Sequence, residues 1–243
     1  MRYKINMSYN GADFCGWQVQ NDAPSVQGAL QDAMKILLHS DIKVTGAGRT
    51  DTGVNASCYV AHFDSDIPID CAQICYKLNA ILPDSVAIRN IVQVGDDFHA
   101  RFGATRREYT YFLHRCKDPF VEKFSWQYQY PELDIDAMNL AAKHLLGTHD
   151  FSCFEKTGGD NKTSVCTVTE AQWYKQDEDH WYFRIAADRF LRNMVRAIVG
   201  TLLEIGRGKR AADSIVSLIE CGTRCDAGQS VPGHALFLSG IDY

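Results

Sequence analysis

Apolar residues in this chain keep changing their repeat, from every second position to every third or fourth and back, and that alternation points to a mixed α/β fold. Tyr3, Ile5 and Met7 alternate as a half-buried strand, and Asn10-Gly11 supplies a turn. Pro24-Ser25 then introduces a helix whose stripe is Val26, Ala29, Leu30, Ala33 and Leu37. Ile42 and Val44 lead into a glycine-rich loop, and Tyr59, Ala61 and Phe63 leave it as a strand. A helix over 71–81 stops before Pro83, and 86–94 reads as a further strand. The order is β-α-β-α-β.

The second half repeats the theme without obvious sequence identity. Segments 109–113 and 126–130 are predicted strands, and 135–146 a helix with Met138, Ala141, Ala142 and Leu145 on one side. A hairpin is expected from 166–173 and 181–185 across the polar stretch 175–180. Long helical spacing covers 190–205, closed by Gly206 and Gly208, then a helix over 211–219 and a last strand over 235–238. No Pro/Ser-rich linker intervenes. The expectation is two similar α/β halves on one continuous sheet, residues 1–103 and 104–243. Segment 155–164, rich in Gly, Lys and Thr, is either a substrate-contacting loop or a plain surface excursion.

At 243 residues, with 46% hydrophobic and 23% charged side chains, the chain can bury a sizeable core. No apolar run is long enough to span a bilayer, and Met1–Asn6 lacks the apolar core of a signal peptide, so a cytoplasmic protein is expected. The nine cysteines include the i, i+4 pairs Cys71/Cys75 and Cys221/Cys225; neither is a Cys-x-x-Cys, and both are read as reduced core or near-core thiols. His62, His99 and His149 show no metal-ligand spacing, so no metal is expected. The net charge of −5 argues against indiscriminate nucleic-acid binding. A local basic surface is still available where Arg101, Arg106, Arg107 and Arg115 interleave with Tyr109, Tyr111 and Phe112.

The run Gly46-Ala47-Gly48-Arg49-Thr50-Asp51-Thr52-Gly53-Val54-Asn55-Ala56 sets one arginine and one carboxylate among small residues. Small residues permit unusual backbone angles and close approach of a ligand. Asp51 is then either a carboxylate exposed in a cleft, able to act as nucleophile or base, or a turn residue that bonds neighbouring N–H groups.

This run resembles the catalytic loop of the tRNA pseudouridine synthase A (TruA) family, G-x-G-R-T-D-x-G-V-H-A. Ten of its eleven positions fit, and Asn55 stands where the family usually has histidine. Arg106-Arg107-Glu108-Tyr109-Thr110-Tyr111 resembles the family's second motif, and the segment from Phe190 to Gly200 its third. Tyr9-Asn10-Gly11 and Phe14-Cys15-Gly16-Trp17-Gln18 extend the likeness almost end to end. The resemblance implies an α+β fold of two ferredoxin-like or RRM-like halves, with a mainly antiparallel sheet, helices on one face and an active-site cleft between the halves. It also implies a homodimer that isomerises uridines 38, 39 and 40 of the tRNA anticodon stem-loop without a cofactor.

Isomerisation breaks the C1′–N1 bond, turns the uracil and joins C5 to C1′, a sequence that needs neither a redox step nor a metal. The family pattern makes Asp51 the nucleophile, whether at C1′, at C6 or in elimination at C2′. Tyr109 matches the base-contacting tyrosine, able to stack on an extruded base or help remove the C5 proton. Arg196 matches the motif's basic residue, and a buried arginine there needs an anion such as Asp51, which it would keep ionised. Arg192, four residues before it, shares its side of the expected helix; it is a second substrate-binding candidate or a local partner of Asp188. Arg49 suits gripping phosphates or replacing the extruded base. Two rivals are a non-catalytic RNA-binding protein with RRM-like halves and a small-molecule hydrolase built on Asp51. The first normally shows exposed aromatic RNP patterns and the second a partner acid, and neither is found in the sequence.

Overall fold

The computed structural model describes residues 1–130, 132–158 and 162–243. It is a mixed α/β structure with five α-helices among the described residues and mainly antiparallel strand pairing. The chain divides into two compact units, Met1–Thr105 with Leu238–Tyr243, and Arg106–Phe237.

The first unit runs β1 (Arg2–Tyr9), α1 (Val26–Leu38), β2 (Thr45–Gly46), β3 (Asn55–Asp64), α2 (Cys71–Ile81) and β4 (Val86–Val94). β1 lies between β3 and β4, antiparallel to both, with Ile5 opposite Ala61 on one side and Ile91 on the other. Its period-two pattern is realised in full: Tyr3, Ile5, Met7 and Tyr9 are buried, and the residues between them are half-exposed. Val26, Leu30, Ala33 and Met34 form the buried stripe of α1. Ser25 caps this helix by accepting from Gly28 N at 3.2 Å, and Asp70 caps α2 through Gln73 N at 3.0 Å. Each cap satisfies an otherwise orphaned N–H and is worth about 1 kcal/mol. On the sheet's other side Ala47, Val60 and Ala100 make a small core with Phe98 and Ile241. His62 locks the 95–105 segment there: its Nδ1 accepts from Ala100 N at 3.1 Å.

The second unit runs β5 (Arg106–His114), β6 (Trp126–Gln127), α3 (Ile135–Lys143), β7 (Gly147–Asp150), β8 (Val165–Lys175), β9 (His180–Ala187), α4 (Met194–Gly206) and α5 (Ser214–Cys221). Its strand order is β5-β9-β8-β7, all antiparallel, and β6 pairs parallel to β5 at Leu113 and His114. The last strand, β10 (Leu236–Asp242), begins in this unit and ends in the first, where it follows β3 in the order β4-β1-β3-β10. α4 is buried at eleven of its thirteen positions and is the second unit's central helix.

Three local readings are corrected. The strand expected over 126–130 stops after Gln127: Tyr128 N donates to His114 O at 2.8 Å, and the rings of Trp126, Tyr128 and Tyr130 then pack on one another. The helix expected from 190 begins only at Met194, because Asn193 adopts a left-handed conformation (φ 65°) that breaks the turn. Cys221 and Cys225 are exposed rather than core residues, while Cys71 and Cys75 are half-buried, and all nine cysteines are free thiols.

Candidate active site

The loop between β2 and β3 is held from below and behind. Tyr9, Trp17 and Tyr59 form an aromatic cluster in which Trp17 stacks on Tyr59 at 4.2 Å between centroids. Each of the two tyrosines uses its hydroxyl on the loop: Tyr9 bonds Thr50 Oγ1 at 2.9 Å, and Tyr59 donates to Gly48 O. Backbone bonds add Trp17 N to Thr50 O, Gly53 N to Phe14 O and Val54 N to Asp51 O. Two glycines are dictated by contact. A Cβ on Gly46 would lie 2.3 Å from the Tyr59 hydroxyl, and one on Gly11 would lie 2.1 Å from Val54 O. The segments Tyr9–Gly11 and Phe14–Trp17 are therefore the pedestal of the loop. On it Thr50 is buried, Asp51 half-buried and Arg49 exposed. That pattern of a tethered backbone carrying a half-buried aspartate suits a nucleophile.

The second unit holds Tyr109, Arg192 and Arg196. Tyr109 is half-exposed on β5 and meets the edge of Phe190 at 5.1 Å, so the second and third sequence motifs touch. Arg196, half-buried on the first turn of α4, donates from Nε to Val231 O at 2.7 Å. Val231 N returns a bond to Arg196 O at 3.2 Å. Its charge acts on Tyr111, opposing the burial that pushes this phenol far above its ordinary range. Tyr111 and Arg196 thus form one neighbourhood, with Tyr109 two residues away on the same face of β5. Arg192 lies outside it. It precedes α4, is exposed, and donates to Thr157 O at 3.3 Å, while Lys156 N donates to Arg192 O at 3.0 Å. It is tied to the described part of segment 155–164; residues 159–161 of that segment lie outside the described residues. The Asp188 carboxylate accepts instead from Thr167 N and Arg189 N.

The basic stretch is partly neutralised within its own unit, since Arg106 pairs with Glu108 at 2.7 Å and approaches Glu170 at 3.6 Å. Among the described residues no group of His, Cys, Asp and Glu is placed to hold a metal ion. No helix is long and apolar enough to cross a membrane.

Residues 141–243 match a family model described as tRNA pseudouridine synthase. A curated tRNA pseudouridine synthase A from Parabacteroides distasonis is 48% identical over 244 residues, covering 100% of this chain and 96% of the relative. The namesake from Bacteroides fragilis is 46% identical over 243 residues with the same coverage, and that from Bacillus subtilis 41% over 246, covering 100% and 99%. The chain belongs to the tRNA pseudouridine synthase A family. A solved archaeal box H/ACA sRNP Nop10–Cbf5 complex overlaps 84% of this chain and 44% of its own at a TM-score of 0.41 and 13% identity, too distant to inform the site.

Within this tRNA pseudouridine synthase scaffold, Asn55 has a structural task. Its side chain is buried, and Oδ1 accepts from Gly11 N at 2.8 Å, stitching β3 to the pedestal. Segment 223–232 escaped sequence reading although it positions Arg196. Thr201 Oγ1 accepts from Gly228 N at 2.8 Å, and Asn193 Nδ2 donates to Ser230 Oγ at 2.6 Å. A Cβ on Gly200 would lie 1.8 Å from Gln229 O. The available signal was the small-residue face Ala197-Gly200-Thr201 in an otherwise bulky helix.

Proposed function

We propose that this tRNA pseudouridine synthase isomerises uridines 38, 39 and 40 of the anticodon stem-loop, with Asp51 as the nucleophile. The observation that carries the reading is the Asp51 loop, whose neighbours are fixed by buried hydrogen bonds and aromatic packing while Asp51 itself is only half-buried. Full-length likeness to curated tRNA pseudouridine synthases A supports it. Tyr109 contacts the extruded base: it matches the family's base-contacting tyrosine, and its half-exposed aromatic ring is of the kind that stacks on a base. Arg196 is the ion-pair partner that keeps the nucleophile charged, in keeping with its match to the basic residue of the third motif, and its Nε is anchored on Val231 O. Arg49 and Arg192, both exposed, contact the RNA backbone.

The enzyme acts as a homodimer in the cytoplasm, with one tRNA reaching both subunits while one Asp51 reacts. Unmodified tRNA carrying tritium at uracil C5 tests the activity directly, because C5–C1′ bond formation releases that tritium to water. Absence of release with active substrate removes the reading. Sedimentation tests the assembly: a fully active monomer of 27.3 kDa refutes the shared-substrate arrangement and leaves the catalytic assignment standing.

A further inference from the structure

We infer that a groove in the second unit, lined by Arg196 and running along α4 to Arg207, binds a short flanking segment of the RNA substrate; the inference rests on the tRNA reading above. The groove encloses about 530 Å³, within the range of small-ligand pockets. Along the helix the step from residue 196 to 207 rises roughly 16 Å at 1.5 Å per residue, on the order of five nucleotides stacked 3.4 Å apart.

Its wall is an aromatic ladder that runs from half-buried Trp126 through buried Tyr128 to exposed Tyr130. Trp126 meets Tyr128 at 5.0 Å and Tyr128 meets Tyr130 at 5.1 Å between centroids, and Tyr130 is 46% exposed. The ladder ends in a cation, for the Arg207 guanidinium carbon lies 3.3 Å from the Tyr130 ring centroid. The Arg207 charge also acts on the Tyr128 phenol, opposing the burial that raises its pKa. A guanidinium stacked flat on an aromatic ring keeps edge donors directed outward, the arrangement that recognises phosphate. The one carboxylate in the lining, Glu204, is paired with Arg210, so the groove presents net positive charge in a chain of net charge −5. Gln127, Gln129 and Gln229 add amide donors and acceptors of the kind that read base edges. Net positive charge, an arginine held on an aromatic ring and amide groups together match an anionic single-stranded or splayed nucleotide segment.

The test uses the full chain, a fluorescent unmodified tRNA transcript and the tritium-release assay. Tyr130→Ala and Arg207→Ala are each expected to weaken tRNA binding at least fivefold, roughly the loss of one stacked base or phosphate contact. The loss should appear in Kd and KM, with the single-turnover rate at saturating tRNA within twofold of the parent. Because the two groups are stacked on each other, the double variant should lose less than the product of the single losses. Tyr130→Phe retains the ring and should restore binding, and Arg207→Ala should lower the salt slope by about one. A parent enzyme that releases tritium while both alanine variants bind within twofold overturns the groove alone. A parent that releases no tritium overturns the tRNA reading and the groove with it. Conversion of the variants from dimer to monomer, with RNA affinity lost only in parallel, assigns the groove to the subunit interface and overturns the proposal.

Discussion

Lowering the pH should loosen the first unit at a single histidine. His62 is 5% exposed and its Nδ1 accepts the Ala100 N–H, so the ring is neutral with its proton on Nε2. Burial, then the nearby charges of Arg2 and His99, lower its pKa from 6.5 to about 4. The unfolded chain therefore takes up the proton first as pH falls. The stabilisation is complete above pH 6.5 and is lost progressively between 6.5 and about 4, the window set by the two values. The full difference corresponds to about 3 kcal/mol, of which roughly 2 kcal/mol is gone at about pH 5. Titration of the His62 ring by NMR should give a midpoint near 4. Urea unfolding followed by the buried Trp17 should show the parent losing stability relative to His62→Gln as pH drops, since glutamine can accept the same N–H and does not titrate. Amide exchange at Ala100 should accelerate over the same range. A His62 midpoint above 6, or a parent-to-variant gap independent of pH, would falsify this account.

Asp51→Asn and Asp51→Ala should abolish tritium release while tRNA affinity stays within a few-fold, because phosphate contacts spread over many residues dominate binding; turnover by either variant removes the nucleophile assignment. Tyr109→Phe should slow single-turnover release by roughly 10²-fold if the phenol moves a proton, whereas near-normal rates would reduce the side chain to stacking. Gly200→Ala should cost more than about 3 kcal/mol or prevent folding, since its Cβ falls 1.8 Å from Gln229 O, a backbone atom with little freedom to move. A thermal melt unchanged by that substitution shows that segment 223–232 is not seated on α4.

The parts legible in the sequence are those where one local rule decides the outcome. α2 was readable because Pro83 closes the segment just after it, and the Asp70 cap seen in the structure fixes its start. The Asp51 loop was readable as a distinct segment because its run of small residues breaks both the strand and the helix repeat. Arg192 and Arg196 show the limit: their spacing fits a helix, yet Asn193 between them takes a backbone angle that no spacing rule reports. Cys221 and Cys225 likewise sit at helical spacing, but α5 ends at Cys221, and both thiols face solvent. Segment 223–232 carries no periodicity at all. Its place is set by what α4 omits, the side chains missing at Ala197 and Gly200, and a motif reading looks for groups that are present.

The route of β10 has a consequence for how the protein is made. Residues Leu238–Tyr243 complete the first unit, with Asp242 O receiving Thr105 N at 2.9 Å and the Tyr243 hydroxyl donating to Ala100 O at 2.7 Å. The ribosome must therefore translate all of Arg106–Phe237 before the first unit can close. At 5–20 residues per second that delay is roughly 7–26 s. During it the small core of Ala47, Val60 and Ala100 lacks Ile241, and the pedestal of the Asp51 loop stands in an unfinished unit. A nascent chain stalled after Phe237 should be open to proteolysis within the 95–105 segment and should become protected only after β10 emerges.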